Sequence, residues 1–340
     1  MFDWALQTVA LLSSAILTFG VLRLFQIKHW LDEPDARSAH KRPMPTSGGI
    51  AMAMVFAVGV IYYFFSGQFT SLESMIFLGC VPIVIVGFID DLRNLDFRWR
   101  LFFQFASAIL VVICAGPMPT ILIGPFSLES SVIVQILAVL AFVWLLNLFN
   151  FMDGIDGLAA CEAIFVTLVT SFFLINAEDV ASVAVSLLIA SVALGFLIWN
   201  WPPAKIFMGD VGSNFLAYTL GALALISIAN GSMNPWSWLL LLGVFVVDAT
   251  YTLCYRILHG QQWHQAHNDH AYQHWARQLG SHSRVTLAIL LLNCTWLAPL
   301  AWLADQNPYQ GFYLTVVGYL PLMLIAWKLR AGQSVKSAAE

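Results

Sequence analysis

Apolar runs, each about long enough to cross a lipid hydrocarbon core and each closed by a short polar stretch, repeat along the whole chain. A core about 30 Å thick needs roughly 20 apolar residues per helix. On that measure the pattern predicts eleven spans, over residues 4–25, 49–65, 74–89, 100–116, 130–149, 158–176, 180–199, 213–229, 235–257, 285–304 and 310–328. Apolar and polar residues do not alternate at period two, which argues against a membrane β-barrel. The expectation is an all-α, polytopic helical bundle in which residues 1–340 form one integral-membrane domain.

Composition agrees. The chain is 60% hydrophobic and 10% charged, against about 25% charged in soluble domains, too few polar groups to cover a water-facing surface. Counting loops alternately from an outside N-terminus puts all 15 Lys and Arg residues on one side of the membrane. The opposite loops carry only acids: Asp3, Glu73, Glu129, Glu178, Asp179 and Asp305. By the positive-inside rule, the N-terminus is expected in the periplasm and the C-terminus in the cytoplasm. A basic stretch before the first span is missing, so no cleaved signal peptide is expected. Five scattered cysteines have neither metal-site nor disulfide spacing.

The polar residues gather on the expected cytoplasmic loops 26–48, 90–99, 150–157, 200–214 and 259–284. Each motif alone has an ordinary reading. Asp90 and Asp91 could be a solvated helix end, the basic residues of 26–48 a topology signal, and Asp210 in "FMGDVGSN" a simple helix N-cap. "NLFNFMDGIDGLAA" resists that treatment. Asp153 and Asp156, at i and i+3, would share a helix face, with Gly154 and Gly157 letting backbone approach a ligand. Five aspartates brought to one face would raise each other's pKa unless a cation intervenes. Oxygen ligands without cysteine suit Mg²⁺ or Mn²⁺, which commonly leaves coordination positions for phosphate. The set reads as metal-assisted phosphoryl transfer at a membrane surface.

"RSAHKRPMPTSGGIA", "FIDDL", "NLFNFMDGIDGLAA", "NWPPAKIFMGDVGSN" and "AHNDHAYQH" resemble, in order, the signature loops of the polyprenyl-phosphate N-acetylhexosamine-1-phosphate transferases. The resemblance runs from about residue 35 to 285. It implies transfer of a sugar 1-phosphate from a UDP-N-acetylhexosamine to undecaprenyl phosphate, with Mg²⁺ and release of UMP, in the bacterial inner membrane with the site facing the cytoplasm. It further implies Asp210 as metal ligand, aided by Asn150, and Asp90 and Asp91 as the pair that binds or deprotonates the lipid phosphate. Asp153, Gly154 and Asp156 would hold the nucleotide, and Lys41 would touch phosphate. Asn147, Asn200 and His267 would contact substrate, and His270 would take part in catalysis. Arg100 and Gln104 match a basic-x-x-x-Gln pair. A homodimer is compatible with the family; nucleic acid is not an expected partner.

The sequence departs from the family twice. His267-Asn268-Asp269-His270 replaces the histidine runs of other branches and resembles the branch that initiates O-antigen or similar surface polysaccharides. Exchanging Asn268-Asp269 is therefore expected to alter sugar choice. Ser47 stands where relatives carry an arginine. Two rivals remain: the peptidoglycan-type phospho-N-acetylmuramoyl-pentapeptide transferase, and an ion-coupled secondary transporter, for which Asp248, an acid inside a span, would be the relay. Glu162 and Asp248 are otherwise expected in the cleft wall, and His259, His264 and His282 in a plain surface loop.

Overall fold

The computed structural model describes residues 3–32, 43–93, 95–129, 132–262 and 267–334. Lys41 and His264 lie outside them. The helices are α1 (Trp4–Lys28), α2 (Gly49–Phe65), α3 (Ser71–Leu78), α4 (Val81–Arg93), α5 (Phe97–Ala115), α6 (Val132–Met152), α7 (Leu158–Asn176) and α8 (Val180–Asn200). They continue with α9 (Gly209–Ala229), α10 (Pro235–Leu241), α11 (Gly243–Leu258), α12 (Ala271–Leu279), α13 (His282–Leu292), α14 (Ala298–Gln306) and α15 (Gly311–Lys328). Among the described residues nine helices, with α3–α4 and α13–α14 each counted once, are long and apolar enough to cross a membrane, and the bent pair α10–α11 makes a tenth. The shorter apolar α2 occupies the remaining expected span. The protein is an all-α, polytopic membrane bundle. Large side chains such as Ile16 (69% exposed), Phe65 (82%) and Ile113 (70%) form an outer face that only lipid can solvate.

Helix α9 is the axis of the bundle, buried almost throughout from Val211 to Ser227. Small residues bring its neighbours close: Gly87 of α4 lies against the Asp210 backbone, and Gly49 of α2 against Gly212. This close packing pins the start of α9 between the cytoplasm-expected ends of α2 and α4.

Three spans expected to be continuous are interrupted. Residues 74–89 break between α3 and α4, where Gly79 ends the first helix and Pro82 cannot supply a backbone N–H. The Tyr218 hydroxyl donates to the freed Ile76 carbonyl at 2.8 Å. Residues 235–257 bend by 77° between α10 and α11, at Leu242 and Gly243. Residues 285–304 contain a π-helical turn, Asn293–Leu297, between α13 and α14. There the Asn293 amide donates to Glu162 Oε2 at 2.6 Å. Glu162 is thus an interior residue of α7, 2% exposed, instead of a cleft-wall carboxylate. Two short antiparallel pairs complete the fold: β1 (Leu31–Asp32) with β2 (Met44–Pro45), and β3 (Ile121–Ile123) with β4 (Phe126–Leu128).

Candidate active site

The loops expected on one membrane face meet in space. Asp91 of α4 reaches the N-terminus of α9, accepting from the Asp210 N–H at 2.7 Å and the Val211 N–H at 3.5 Å. Its Oδ2 also accepts from the Ser47 hydroxyl at 2.6 Å. Asp210 is therefore not the cap of its helix, as the sequence suggested, but its second residue; the capping carboxylate comes from another span. Gly209 makes this possible. Its φ of +73° is left-handed, and a Cβ there would strike Asp91 Oδ2 and the Ser47 backbone. Ser47, fully buried with φ +59°, spends its hydroxyl on Asp91. The position where the resemblance leads one to expect an arginine thus anchors a carboxylate.

The side chain of Asp210 is left to face the cluster. Its Oδ1 accepts from Asn150 Nδ2 at 2.6 Å. Arg100 Nη1 lies 3.4 Å from its Oδ2 and 2.9 Å from Asp90 Oδ2. Asp90 also accepts from the Leu95 N–H at 2.6 Å. One guanidinium therefore bridges two carboxylates delivered by α4 and α9. Asn147, one turn before Asn150 on α6, donates to Gln104 Oε1 at 2.9 Å, one turn beyond Arg100 on α5. The two helices are locked side by side, and the Arg100–Gln104 spacing has a structural reason.

Asp153 and Asp156 do not share a helix face. They lie in the irregular link between α6 and α7, and of the two carboxylates only that of Asp156 has a hydrogen-bond partner among the described residues. The Asp153 carboxylate has no hydrogen-bond donor among the described residues. Burial, then the charges of Asp210, Asp91 and Asp156, push its pKa well above the usual carboxylate range. Asp156 pairs with His282 at 3.3 Å and accepts from the Ala204 N–H at 3.0 Å. Burial pushes its pKa up, but the His282 ring and the Ala204 N–H outweigh it and leave the group below its ordinary value. The sequence places His282 in a plain surface loop, because nothing local marks a partner 126 positions away. A carboxylate with a lowered folded pKa stabilises above its unfolded value of about 3.9 and loses that contribution as pH falls through the folded one. Asp156→Asn should therefore lower the melting temperature at pH 7, with the gap from wild type closing below about pH 4. A gap equal at both pH values would show that the charge is not what stabilises.

The glycines of the same link serve protein contacts. A Cβ on Gly154 would collide with the Tyr272 hydroxyl, which donates to the Phe151 carbonyl at 2.9 Å. Asn200 holds the link from the other side, accepting from the Gly157 N–H at 2.9 Å and donating to the Ile206 carbonyl at 3.0 Å. At 3% exposure it is a buried brace between this link and the stretch that leads to α9.

Residues 267–270 are extended, and α12 starts only at Ala271, so no helical turn aims the two histidines. Instead His267 stacks on His270, with ring centroids 4.9 Å apart, and both lie against Phe151. His270 is 2% exposed, with Nδ1 3.3 Å from Asp248. His267 covers it and is the more accessible ring. Burial, then the charges of His270 and Arg256, push its pKa down to about 3, so it is neutral at physiological pH. Asp248 also accepts from the Ala271 and Tyr272 N–H groups at 2.9 Å each. It is the N-terminal anchor of α12, not a free cleft-wall acid. Asp269, expected to tune sugar choice, forms a buried 2.5 Å ion pair with Arg256.

Among the described residues no three His, Cys, Asp or Glu side chains surround a common metal position. Mg²⁺ needs fewer, since one or two carboxylates plus substrate oxygens suffice. Asp210, Asp153 and Asn150, whose amide can be turned to present Oδ1, supply hard oxygen donors of that kind. The donor set fits the ion.

Fold and site together define a membrane-embedded protein with an acidic, arginine-bridged cluster where α4, α5, α6 and α9 meet. The profile of glycosyl transferase family 4 matches residues 73–228. A probable undecaprenyl-phosphate N-acetylglucosaminyl 1-phosphate transferase of Bacillus subtilis is 30% identical over 94% of this chain and 89% of its own length. A decaprenyl-phosphate N-acetylglucosaminephosphotransferase of Mycolicibacterium smegmatis is 30% identical over 71% of this chain and 68% of its own. A phospho-N-acetylmuramoyl-pentapeptide-transferase of Synechococcus is 31% identical over 72% and 71%. The chain belongs to the polyprenyl-phosphate N-acetylhexosamine-1-phosphate transferase family. It is an integral membrane phosphotransferase.

Proposed function

We propose that the protein transfers N-acetylhexosamine 1-phosphate from a UDP-sugar to undecaprenyl phosphate and releases UMP, the first membrane step of an O-antigen-like or related envelope polysaccharide. The observation that carries this reading is the convergence of Asp90, Asp210, Asn150 and Arg100 from four different helices on one point, with Asp153, which has no hydrogen-bond donor among the described residues, beside it. A carboxylate cluster bridged by guanidinium suits a diphosphate and its cation. The positive-inside sorting supports a periplasmic N-terminus and a site facing the cytoplasm of the inner membrane. Asp248 tells against the transporter reading, because its oxygens are occupied by the start of α12.

In the proposed reaction an oxygen of the lipid phosphate attacks the β-phosphorus of the UDP-sugar in line. The new P–O bond forms as the bond from β-phosphorus to the bridging oxygen breaks, and that oxygen leaves on UMP. A phosphomonoester with a second pKa near 6 is already largely deprotonated at neutral pH. Asp90 therefore has little proton to remove; it orients the nucleophile with Arg100, while Asp91 holds the start of α9. A covalent phospho-aspartyl route is the alternative. Mg²⁺ or Mn²⁺, when bound, supplies charge neutralisation across the diphosphate. Asn150, Asp153 and Asp210 would hold it. His267, neutral, donates a hydrogen bond to the nucleotide or sugar, and His270 supports it from below.

His267→Ala is expected to reduce turnover about 10²-fold. Since the wild-type ring is already neutral, the loss should be constant from pH 6 to 8; a loss confined to one end of that range would overturn this role. Purified protein given a panel of UDP-sugars should transfer an N-acetylhexosamine 1-phosphate in preference to the larger muramoyl-pentapeptide substrate. A preference for the pentapeptide substrate would assign the chain to the peptidoglycan branch.

A further inference from the structure

Helix α15 is folded back at its cytoplasm-expected end. The Arg330 N–H donates to the Trp327 carbonyl and the Ala331 N–H to the Ala326 carbonyl, each at 3.0 Å, the bond pair of a Schellman turn. Arg330 takes the left-handed position at φ +59°, where glycine is usual. Ala331, 1% exposed, packs with Ala326 and with Ala271, the first residue of α12. Gly332 turns left-handed again, at φ +82°, and its backbone is pressed against Tyr255 of α11. A helix end needs only its own carbonyls for such a turn; this one goes on to bind a second loop.

The Gly332 N–H donates to the Asp269 carbonyl at 2.7 Å, and Gln261 Nε2 donates to the Gly332 carbonyl at 3.2 Å. Both polar backbone groups of Gly332 are thus spent on the loop that carries the histidines. Asp269 is held in three ways. Its carbonyl meets Gly332, its carboxylate pairs with Arg256, and its N–H donates to His267 Nδ1 at 3.4 Å. A neutral imidazole that accepts at Nδ1 carries its proton on Nε2. The Asp269 peptide therefore selects the tautomer of His267 and sets which edge of the ring is left to donate. His270 is fixed separately, by Asp248.

We propose that the turn after α15 is a strap that positions His267: Gly332 fixes the Asp269 peptide, and that peptide fixes the ring whose Nε2–H meets the substrate. Gly332 and Gln261 are positioning residues, and neither touches the reacting atoms. The strap rests on the hydrogen-bonding role proposed above for His267, and it makes the last helix of the bundle set the geometry of the sugar-donor side.

Gly332→Ala in the full chain tests the strap, since a Cβ would lie 2.6 Å from Tyr255 Cδ1, on a backbone already at positive φ. In nanodiscs the variant is expected to lose about tenfold in kcat/KM for UDP-sugar, with the KM for lipid phosphate unchanged. In a His267→Ala background the same substitution should cost less than about twofold, because no ring is left to position. A general loosening of the fold would instead cost as much in both backgrounds. Gln261→Met keeps the size of the side chain and removes the donor to Gly332. It should give a smaller loss with the same dependence on His267, and it carries the test if Gly332→Ala does not fold. Amide hydrogen exchange of residues 267–270 should quicken in either strap variant while that of α13 stays unchanged. Losses that add to that of His267→Ala, an unchanged kcat/KM in both variants, or unchanged exchange of 267–270 would each overturn the strap. Faster exchange in a chain that transfers no sugar phosphate would leave the strap standing and refute the transferase reading instead.

Discussion

Replacing Asp210 with asparagine is expected to lower turnover about 10³-fold, roughly 4 kcal/mol of lost transition-state stabilisation, while leaving the protein folded. The side chain faces the cluster, shared between Asn150 and Arg100, so removing its charge takes away a ligand that Mg²⁺ and the diphosphate would need. The fold does not depend on that side chain, because the start of α9 is held through the backbone N–H groups that Asp91 accepts. Asp91→Ala should do the reverse and loosen the protein before chemistry is reached. UMP release, read beside the melting temperature of each variant, separates the two. An Asp210→Asn protein with near-wild-type turnover in limiting Mg²⁺ would remove Asp210 from the reaction.

The second large effect is on stability. Asp248→Ala strips the acceptor from two buried backbone N–H groups and from His270 in one change. A buried donor left unsatisfied costs about 1–3 kcal/mol, so the loss should reach about 3 kcal/mol or more. That corresponds to a melting temperature lower by roughly 5–10 °C. Asp248→Asn keeps an acceptor oxygen, and asparagine caps helix ends well, so it should recover a good part of the loss. A proton relay would fail equally in both variants. Melting curves for the pair decide between anchor and relay, and equal destabilisation would contradict the anchor.

Much of the fold is legible because lipid is an uncompromising solvent. A run such as "VIVQILAVLAFVWLL" has no other stable home, and the described helices occupy the predicted spans with ends shifted by a few residues. The acidic cluster is legible for a related reason: aspartates among such runs need a shared cation or a cleft. Hidden from the sequence are contacts whose partners are distant along the chain. The carboxylate capping α9 comes 119 positions earlier, and the acid anchoring α12 comes 23 positions earlier, inside a span where an acid reads as a relay. Gly154 illustrates the same limit: the pattern says that something approaches its backbone, and only the structure shows that it is Tyr272. The breaks at Gly79 and Leu242 were equally invisible to hydropathy, since each half is as apolar as the whole.

The pairing of Asp156 with His282 and of Asp269 with Arg256 also redistributes roles within the cytoplasm-expected loops. Residues whose charge looked available for substrate instead fix the geometry of the turn and of the histidine loop. What remains open to a ligand is a smaller set: Asp90, Arg100, Asn150, Asp153, Asp210 and His267.

The fate of the β-phosphorus tests the central claim most directly. The purified chain in nanodiscs would receive undecaprenyl phosphate, Mg²⁺ and a UDP-N-acetylhexosamine carrying ³²P at the β position. The label is expected in the lipid fraction, in a pyrophosphate-linked sugar, with one UMP released for each lipid product. Label retained on a released UDP would mean that the sugar moves without its phosphate, and would contradict the assignment.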